Sequence, residues 1–332
     1  MEVKLFLSHS KQFYIEVNSM LKFYKSVNGK ICQIDSLESG CWVNVIAPDE
    51  TELEYLKNVL NIDEMFLNSA LDEEESSRTE ISDDGQQTLV IVDAPYAERQ
   101  SENTLLYFTM PLGVVIAKDF VLTISLKENT VIKELEDSRV KNLNTHYKTQ
   151  FLFIMLYRIA IRFLQYLKQI DKIESLLEAQ LKSSMKNKEL LQLLELEKSL
   201  VYFSTSLKSN QATIEKIMRG RVLKLYEDDE DILSDVLIEI RQAIEMASIY
   251  SGIVTSTMNS YASIISNNLN IAMKFLTSIT ILLAIPTLIS SFYGMNVPLP
   301  MGNKSYGLIV LVIISVISTL GSYLILKKKD LL

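Results

Sequence analysis

The chain has 332 residues, with 33 Lys or Arg, 41 Asp or Glu and a formal net charge of −8, yet 48% of its residues are hydrophobic. Residues 271–332 hold five Lys and one Asp, which leaves 28 basic and 40 acidic residues in 1–270 and a net charge of −12 there. This acidic body excludes nucleic-acid binding, which needs a basic surface, and it favours attraction of cations.

Cysteine and histidine are both scarce. Cys32 and Cys41 are too few for a disulfide scaffold, which favours a reducing compartment. His9 and His146 cannot form a histidine-based metal site by themselves. Met1–Ser10 lacks a basic start followed by a long apolar stretch, so we expect no cleavable signal peptide.

Residues 1–145 are predicted to form an α/β domain, because short apolar or alternating runs are interspersed with helical spacing. Helical spacing covers Thr51–Leu60 and Ile62–Leu71, and Asp49 favours a helix start. Pro95–Ala97 is predicted to be a turn. The predicted strands are Lys30–Ile34, Cys41–Ile46, Gln87–Val92, Leu105–Thr109, Leu112–Ala117 and Phe120–Ser125.

Residues 146–226 are predicted to form long cytosolic helices, because Leu, Lys, Glu and Gln dominate and Gly and Pro are almost absent. A break between two helices is expected near Ser183–Lys188 or near Ser204–Ser209. The acidic run Glu227–Asp231 favours the start of a further helix, because carboxylates interact well with the positive end of the helix dipole.

Two apolar segments near the end of the chain are predicted to cross a membrane. Phe275–Met295 and Ser305–Leu326 contain 21 and 22 uncharged residues, and a helix needs about 20 residues to cross the hydrocarbon core. A pair of buried core helices is the alternative. We therefore place a first span at 271–295, an outer loop at 296–304 and a second span at 305–326.

Basic residues next to the spans predict their orientation. Lys327–Lys329 begin a basic tail at 327–332, and the positive-inside tendency places this tail in the cytosol. Two spans return the chain to the side on which it began, so both termini are expected to be cytosolic. A compact chain of this kind favours a prokaryotic inner membrane.

One continuous helix is predicted over Ile232–Ser291, with a mild kink at Pro286. Its first part, within residues 227–270, would form a stalk that continues into the first span. Apolar residues recur along one face of this helix and are predicted to form a packing seam. The seam consists of Leu233, Val236, Ile240, Ala243, Ala247, Tyr250, Val254, Tyr261 and Ile264.

A second face of the same helix is small and polar, and we call it the polar stripe. It consists of Gly252, Ser256, Asn259, Ser263, Ser266, Asn270, Met273, Thr277, Thr280, Ala284, Thr287 and Ser291. Such a face indicates either close helix packing in the membrane or a water-filled pore. Two spans cannot enclose a pore, so the pore hypothesis requires a symmetric oligomer.

These elements predict an α+β membrane protein with an N-terminal cytosolic α/β domain, a long helical bundle with a stalk helix, and two C-terminal transmembrane helices. The first span ends in Tyr293-Gly294-Met295-Asn296, which resembles the signature of the CorA family of divalent-cation transporters. The position of this run between two C-terminal spans supports the resemblance. Further similarity lies in Ile285–Thr287, Asn270–Thr277 and Leu194–Leu207.

The resemblance implies a homopentamer in which five first spans surround the pore and five second spans lie outside. The family transports Mg2+, and often Co2+ or Ni2+, down the electrochemical gradient. No phosphate-binding loop of the type GxxxxGK[ST] occurs, so we expect no nucleotide partner. No constellation of a nucleophile with a base stands out, so we expect no enzyme activity.

Tyr293, Gly294, Met295 and Asn296 would form the selectivity filter by this resemblance. A ring of Asn296 amides could offer carbonyl oxygens to hydrated Mg2+, which loses its waters reluctantly, and bind it weakly enough to release it. Gly294 would allow a tight chain reversal, and the alternative role of Asn296 is a helix cap. The predicted pore-lining residues are Asn270, Met273, Leu276, Thr277, Thr280, Ala284, Thr287 and Ser291.

The resemblance also implies gating by cytosolic Mg2+ bound between subunits. Asp235 lies at the position of the family's stalk carboxylate, and Asp72, Glu73 and Glu74 are candidates for its partner in a neighbouring subunit. A solvated acidic surface is the alternative for all four residues. The family pattern is incomplete at the outer loop, because Val297–Ser305 contains no Asp or Glu to gather cations.

Two other functions remain open at the level of the sequence. One is a Zn2+ transporter of the same family, with or without proton coupling, since the predicted pore has no Cys or His to distinguish the ions. The other is a membrane-anchored sensor or scaffold, in which the spans act only as an anchor.

Overall fold

The structure is a computed structural model that describes residues 3–4, 14–15, 21–101, 104–141, 143–184, 187–220, 222–295, 306–329 and 331. The chain divides into two compact units, Met1–Thr257 and Met258–Leu332. The first unit contains the strands and most of the helices, and the second contains the end of one long helix and a further apolar helix.

The described strands are β1 (Val3–Lys4), β2 (Tyr14–Ile15), β3 (Leu21–Val27), β4 (Lys30–Ile34), β5 (Cys41–Ile46), β6 (Arg78–Ile81), β7 (Thr88–Ser101), β8 (Thr104–Ile116) and β9 (Phe120–Ser125). β1 and β2 pair with each other. The other seven form one sheet in the order β4-β3-β5-β9-β8-β7-β6. All neighbouring pairs are antiparallel except β5 with β9, which is parallel.

The described helices are α1 (Glu50–Asn58), α2 (Glu64–Ala70), α3 (Thr130–Glu136), α4 (Lys148–Ser184), α5 (Asn187–Met218), α6 (Glu227–Tyr293) and α7 (Gly307–Lys328). The helix predicted from residue 51 begins one residue earlier, where Asp49 and Glu52 form a reciprocal capping box. The helix predicted over Ile62–Leu71 is confirmed in shorter form as α2.

The centre of the sheet is apolar because β5 and β9 are buried on both faces, as is typical of a parallel pair. α1 and α2 cover one face, where Leu56 and Leu67 belong to the same apolar cluster as Val43 and Leu122. α2 approaches the sheet closely, because a Cβ added to Gly113 would lie 2.4 Å from the Cβ of Ala70.

Large aromatic side chains fill the other side of the sheet, where α4 and α5 pack. The ring centroids of Trp42 in β5 and Phe151 in α4 are 5.2 Å apart. The ring of Phe203 in α5 packs edge-on against that of Phe163 in α4, at 5.0 Å between centroids. All four of these residues are fully buried, so the α/β domain and the long helices share one core. The indole N–H of Trp42 donates to Thr123 Oγ1 at 2.9 Å.

The prediction of a turn at Pro95–Ala97 is wrong. These residues lie within β7, where Pro95 pairs with Thr109 of β8. β6 pairs only with Thr88–Ile91, so this part of β7 has no second neighbour in the described sheet. A proline lacks an N–H to donate, and it is tolerated where a strand forms an edge. The two strands predicted at Leu105–Thr109 and Leu112–Ala117 are likewise one strand, β8.

The predicted break near Ser183–Lys188 is confirmed, since α4 ends at Ser184 and α5 begins at Asn187. The alternative break at Ser204–Ser209 is wrong, because these residues are helical within α5. The continuous helix predicted over Ile232–Ser291 is confirmed as α6, which has 67 residues and contains Pro286.

Candidate functional site

The apolar seam of α6 is buried within the first unit. Its members Leu233, Val236, Ile240, Ala243, Ala247 and Val254 are each at most 2% exposed. Carboxylates of the neighbouring helices also bind α6: Thr257 Oγ1 donates to Glu174 of α4 at 3.2 Å, and Thr255 Oγ1 donates to Glu197 of α5 at 2.7 Å. The seam therefore fixes one face of α6 against α4 and α5. Ile264, the last predicted member, is exposed instead.

The polar stripe of α6 has the opposite environment. All twelve of its residues, from Gly252 to Ser291, are exposed in the chain. The hydroxyl groups of two Thr residues of the stripe donate to backbone carbonyls one turn earlier in α6. Thr280 Oγ1 donates to Leu276 O at 2.8 Å, and Thr287 Oγ1 donates to Leu283 O at 2.9 Å. Their hydroxyl oxygens keep acceptor capacity, and the water molecules around a hydrated cation present their O–H donors outward.

A groove with a volume of about 700 Å³ follows the last four turns of α6. It is lined by Thr280, Leu283, Ala284, Thr287, Leu288, Ser291, Phe292 and Met295. Four predicted pore residues thus lie on one concave surface, while Asn270, Met273, Leu276 and Thr277 are exposed on α6 before it begins. Sequence reasoning missed Leu283, Leu288 and Phe292, which flank the stripe at helical spacing but read as ordinary lipid-facing residues.

The predicted filter lies at the end of α6. Tyr293 is the last helical residue, and the N–H of Gly294 donates to Ser290 O at 3.0 Å. The N–H of Met295 donates to Phe292 O at 3.3 Å. Gly294 does not adopt a positive φ, so its special conformational freedom is not used here. Asn296 and the outer loop lie outside the described residues.

The four predicted regulatory carboxylates are exposed and do not converge in one chain. Asp235 lies on α6, and Asp72, Glu73 and Glu74 follow the end of α2. Asp72 Oδ1 accepts a hydrogen bond from the N–H of Glu74 at 3.0 Å, which organises the acidic turn. Among the described residues, no group of three or more His, Cys, Asp or Glu side chains is placed to hold a metal ion.

Two of the buried carboxyls of the first unit, Asp93 and Glu174, have raised pKa values. Burial raises the pKa of Asp93 in β7 to about 6, although a hydrogen bond with Ser206 of α5 acts in the opposite direction. The backbone of Asp93 is held by Asn210, whose amide exchanges two hydrogen bonds of 2.8 Å with it. Burial also raises the pKa of Glu174, against the effect of its hydrogen bond with Thr257.

Three described helices are long and apolar enough to cross a membrane: Lys148–Lys182, Asp229–Tyr293 and Gly307–Lys328. They differ in burial, because 61% of the most apolar window of the first is buried inside the protein, against 6% and 0% for the other two. The first is therefore a core helix, whereas the most apolar windows of α6 and α7 have little or no cover within the described chain. In the second unit Ser278 Oγ donates to Leu331 O at 2.5 Å.

An α/β domain that continues through one long helix to an exposed apolar helix pair is the architecture of a membrane transporter with a large soluble domain. A family model described as CorA-like Mg2+ transporter protein matches residues 38–328, which is most of the chain. The protein belongs to the CorA family of divalent-cation transporters, which is a transporter family and not a class of enzymes.

The sequence is similar to the cobalt/magnesium transport protein CorA of Methanocaldococcus jannaschii. The two are 28% identical over 277 residues, which is 80% of this chain and 83% of that protein. The fold is similar to the complete structure of the CorA magnesium transporter from the same organism. That similarity has a TM-score of 0.78 at 23% identity and covers 94% of this chain and 98% of the other.

Two further solved structures share the fold at lower identity. The full-length CmaX protein matches with a TM-score of 0.67 at 15% identity and covers 95% of this chain and 99% of its own. The cytoplasmic domain of ZntB from Vibrio parahaemolyticus matches with a TM-score of 0.57 at 11% identity. It covers 75% of this chain and 99% of its own.

Proposed function

We propose that the protein is a homopentameric channel-type Mg2+ transporter that mediates passive uptake driven by the membrane potential. The observation that carries this proposal is the polar stripe of α6, which is exposed along its whole length in a chain of the CorA family. A single helix face cannot enclose water, so copies of the chain would have to complete the pore.

The proposed topology has two spans, at 271–295 and 305–326, with both termini in the cytosol of a cell whose inner membrane holds the protein. Support comes from the most apolar windows of α6 and α7, which have little or no cover within the described chain. Lys327, Lys328 and Lys329 are exposed directly after the second span, as the positive-inside tendency requires for a cytosolic end.

The proposed ion path begins at a filter formed by Tyr293, Gly294, Met295 and Asn296 and continues along the groove. Neutral oxygen acceptors suit hydrated Mg2+, because they bind its water shell without removing it and release the ion readily. The acceptor capacity of Thr280 and Thr287 supports this path. The full proposed lining is Asn270, Met273, Leu276, Thr277, Thr280, Ala284, Thr287 and Ser291.

The membrane potential supplies enough free energy for inward movement. A unit charge gains about 2.3 kcal/mol per 100 mV, so a divalent cation gains about 4.6 kcal/mol. No nucleotide is required as an energy source.

Cytosolic Mg2+ is proposed to regulate the transporter by binding between subunits. Asp235 of one subunit would face Asp72, Glu73 or Glu74 of the next. These carboxylates would repel each other until a cation lies between them, because like charges at short range raise the energy of the assembly. Their exposure in the single chain supports a role at an interface.

A Zn2+ transporter of the same family, with or without proton coupling, is the second candidate. The similarity of the fold to the cytoplasmic domain of ZntB leaves this candidate open. The pore residues do not decide between the ions, because the described stripe has hydroxyl, amide and thioether groups but no thiol or imidazole.

Ion flux into liposomes that contain the purified protein tests the proposal. We expect an inside-negative potential to drive Mg2+ into the vesicles, as reported by a Mg2+-sensitive dye. Asn296→Ala should abolish selective Mg2+ flux, whereas the matched variant Asn303→Ala removes an amide from the outer segment without touching the signature. Flux of Zn2+ without Mg2+ would establish the second candidate, and the absence of any flux would indicate a scaffold.

A further inference from the structure

A cavity with a volume of about 410 Å³ lies in the first unit, among the β7–β8 hairpin, α4 and α5. Arg99 and Leu105 come from the hairpin, and the remaining lining residues come from the facing surfaces of the two helices. The cavity is separate from the groove on α6, with which it shares no lining residue. The proposed transport function does not use it.

Glu189, in the first turn of α5, lines this cavity and is only 8% exposed. Its Oε2 atom is buried and has no hydrogen-bond partner among the described residues. A buried carboxylate oxygen without a donor costs free energy, because it loses its hydrogen bonds to water and no protein donor replaces them. The dipole of α5 favours a negative charge at this position, but it does not supply a hydrogen bond to Oε2.

The surroundings of Glu189 restrict the ligand that could supply the donor. A bare divalent cation fits poorly, because Glu195 is the only other carboxylate among the described lining residues, and it pairs with Lys198 at 2.9 Å. An anion is disfavoured by the carboxylate itself. The apolar residues Ile173, Leu177 and Leu196 form much of the wall, and Leu177 and Leu196 are at most 5% exposed.

We propose that this cavity binds a small aliphatic organic cation. Its primary ammonium group would donate a hydrogen bond to Glu189 Oε2, and its alkyl chain would lie against Ile173, Leu177 and Leu196. An ammonium group satisfies the unpaired oxygen and neutralises its charge, and the alkyl chain leaves water for the apolar wall. Arg99 and Lys188, which are exposed at the same cavity, would both weaken the binding of a cation.

Ligand-observed saturation-transfer NMR on the full-length protein in micelles tests the site with n-butylammonium as the probe. Tetramethylammonium carries the same charge without an N–H donor, and n-butanol carries the same chain without the charge. We expect transfer to n-butylammonium that neither control competes away at equal concentration. Competition by tetramethylammonium, or an absence of transfer, would overturn the proposal.

Glu189→Gln should weaken n-butylammonium binding by about tenfold or more, since a hydrogen bond to a charged group is lost. The matched variant Glu195→Gln should change it by less than about threefold, because that carboxylate is already paired. Arg99→Ala should leave binding unchanged or tighten it. Equal losses of n-butylammonium affinity in Glu189→Gln and Glu195→Gln would refute the assignment of Glu189 Oε2 as the acceptor of the ammonium group.

Thermal unfolding separates a loss of binding from a loss of folding. Glu189→Gln removes an unpaired buried charge, so its midpoint without probe should equal or exceed that of the wild type. n-Butylammonium should raise the midpoint of the wild type and not that of the variant. Displacement of n-butylammonium by MgCl2 at millimolar concentration would identify a metal site and overturn the proposal, whatever the outcome of the flux experiments.

Discussion

The two units of the chain differ in how much of their apolar surface they bury. In the first unit both faces of the sheet are covered, and the large aromatic residues Trp42, Phe151 and Phe203 are fully buried. In the second unit, Met273, Leu283 and most other large apolar residues described are exposed. The first unit therefore folds around its own core, whereas the second requires an environment that the single chain does not provide.

The same comparison holds along α6 itself. The helix has a buried seam from Leu233 to Val254 and an exposed stripe from Gly252 to Ser291, so its two parts have different tasks. The seam holds the helix to α4 and α5, and the stripe remains available to other copies of the chain and to water. A packing role for the stripe and a conducting role make opposite predictions for substitutions there.

Blocking the groove should give the largest effect. Ala284→Phe places a ring on the concave surface between Thr280 and Thr287, and we expect Mg2+ flux in liposomes to fall by about a hundredfold through steric closure of the path. Ile281→Phe adds a ring to an exposed residue outside the groove lining and should change flux by less than about threefold. Equal flux in both variants would contradict the conducting role of the stripe.

The buried carboxyl of Asp93 should make the stability of the first unit depend on pH. Its folded pKa of about 6 lies above the unfolded value, so the folded state binds the proton more tightly. The free energy of unfolding should therefore rise as the pH falls through 6 and level off near 4. The gain relative to neutral pH should be about 3 kcal/mol at most.

Asp93→Asn tests this pH dependence directly. The amide cannot ionise, so the variant should be more stable than the wild type at pH 7.5 and should lose most of the rise between pH 7.5 and pH 5. Thermal unfolding at several pH values, followed by circular dichroism in micelles, gives both quantities. An unchanged slope would assign the effect to other groups, among them Glu174, whose pKa is also raised by burial.

Adjacent residues on α6 sharpen the contrast between its two faces. Val254→Ala removes buried methyl groups from the seam and should lower the free energy of unfolding by about 2 kcal/mol. Ile253→Ala changes a residue that is 43% exposed and should cost less than about 1 kcal/mol. Denaturant unfolding of both variants in the same micelles measures the difference. Similar losses would show that neighbouring copies cover the exposed face.

The smallest effect is expected at the proposed regulatory carboxylate. Asp235→Lys should leave the proposed oligomer intact, because Asp235 is exposed and has no part in the seam. It should weaken the protection that Mg2+ gives against limited proteolysis, since a cation would no longer be attracted there. Glu230→Lys, an exposed charge change on the same helix, is the matched control. Unaltered Mg2+ protection would remove Asp235 from the regulatory site.

Much of the fold could be predicted because the buried strands are short, continuous runs of apolar residues. β4, β5 and β9 have the predicted bounds, since each is a short run ended by turn residues. β3 and β6 were missed because their charged residues obscure the alternation. Pro95 led to the wrong prediction of a turn. Only the sheet shows that β7 extends past its neighbour β6 and can accommodate a proline there.

The candidate site was predictable to the extent that it follows one helix. The spacing of the polar stripe identifies residues on a common face, and the exposure of Thr280 and Thr287 agrees with it. The cavity at Glu189 could not be found in this way, because the hairpin that meets α4 and α5 there is distant from them in sequence. Asn296 lies outside the described residues, so its role as a filter stays a prediction.

The hydrogen bond from Ser278 Oγ to the carbonyl of Leu331 has a practical consequence for handling the protein. It links the segment after α7 to the part of α6 that carries the stripe. A spectroscopic reporter attached at Leu331 is therefore expected to sense displacements of α6.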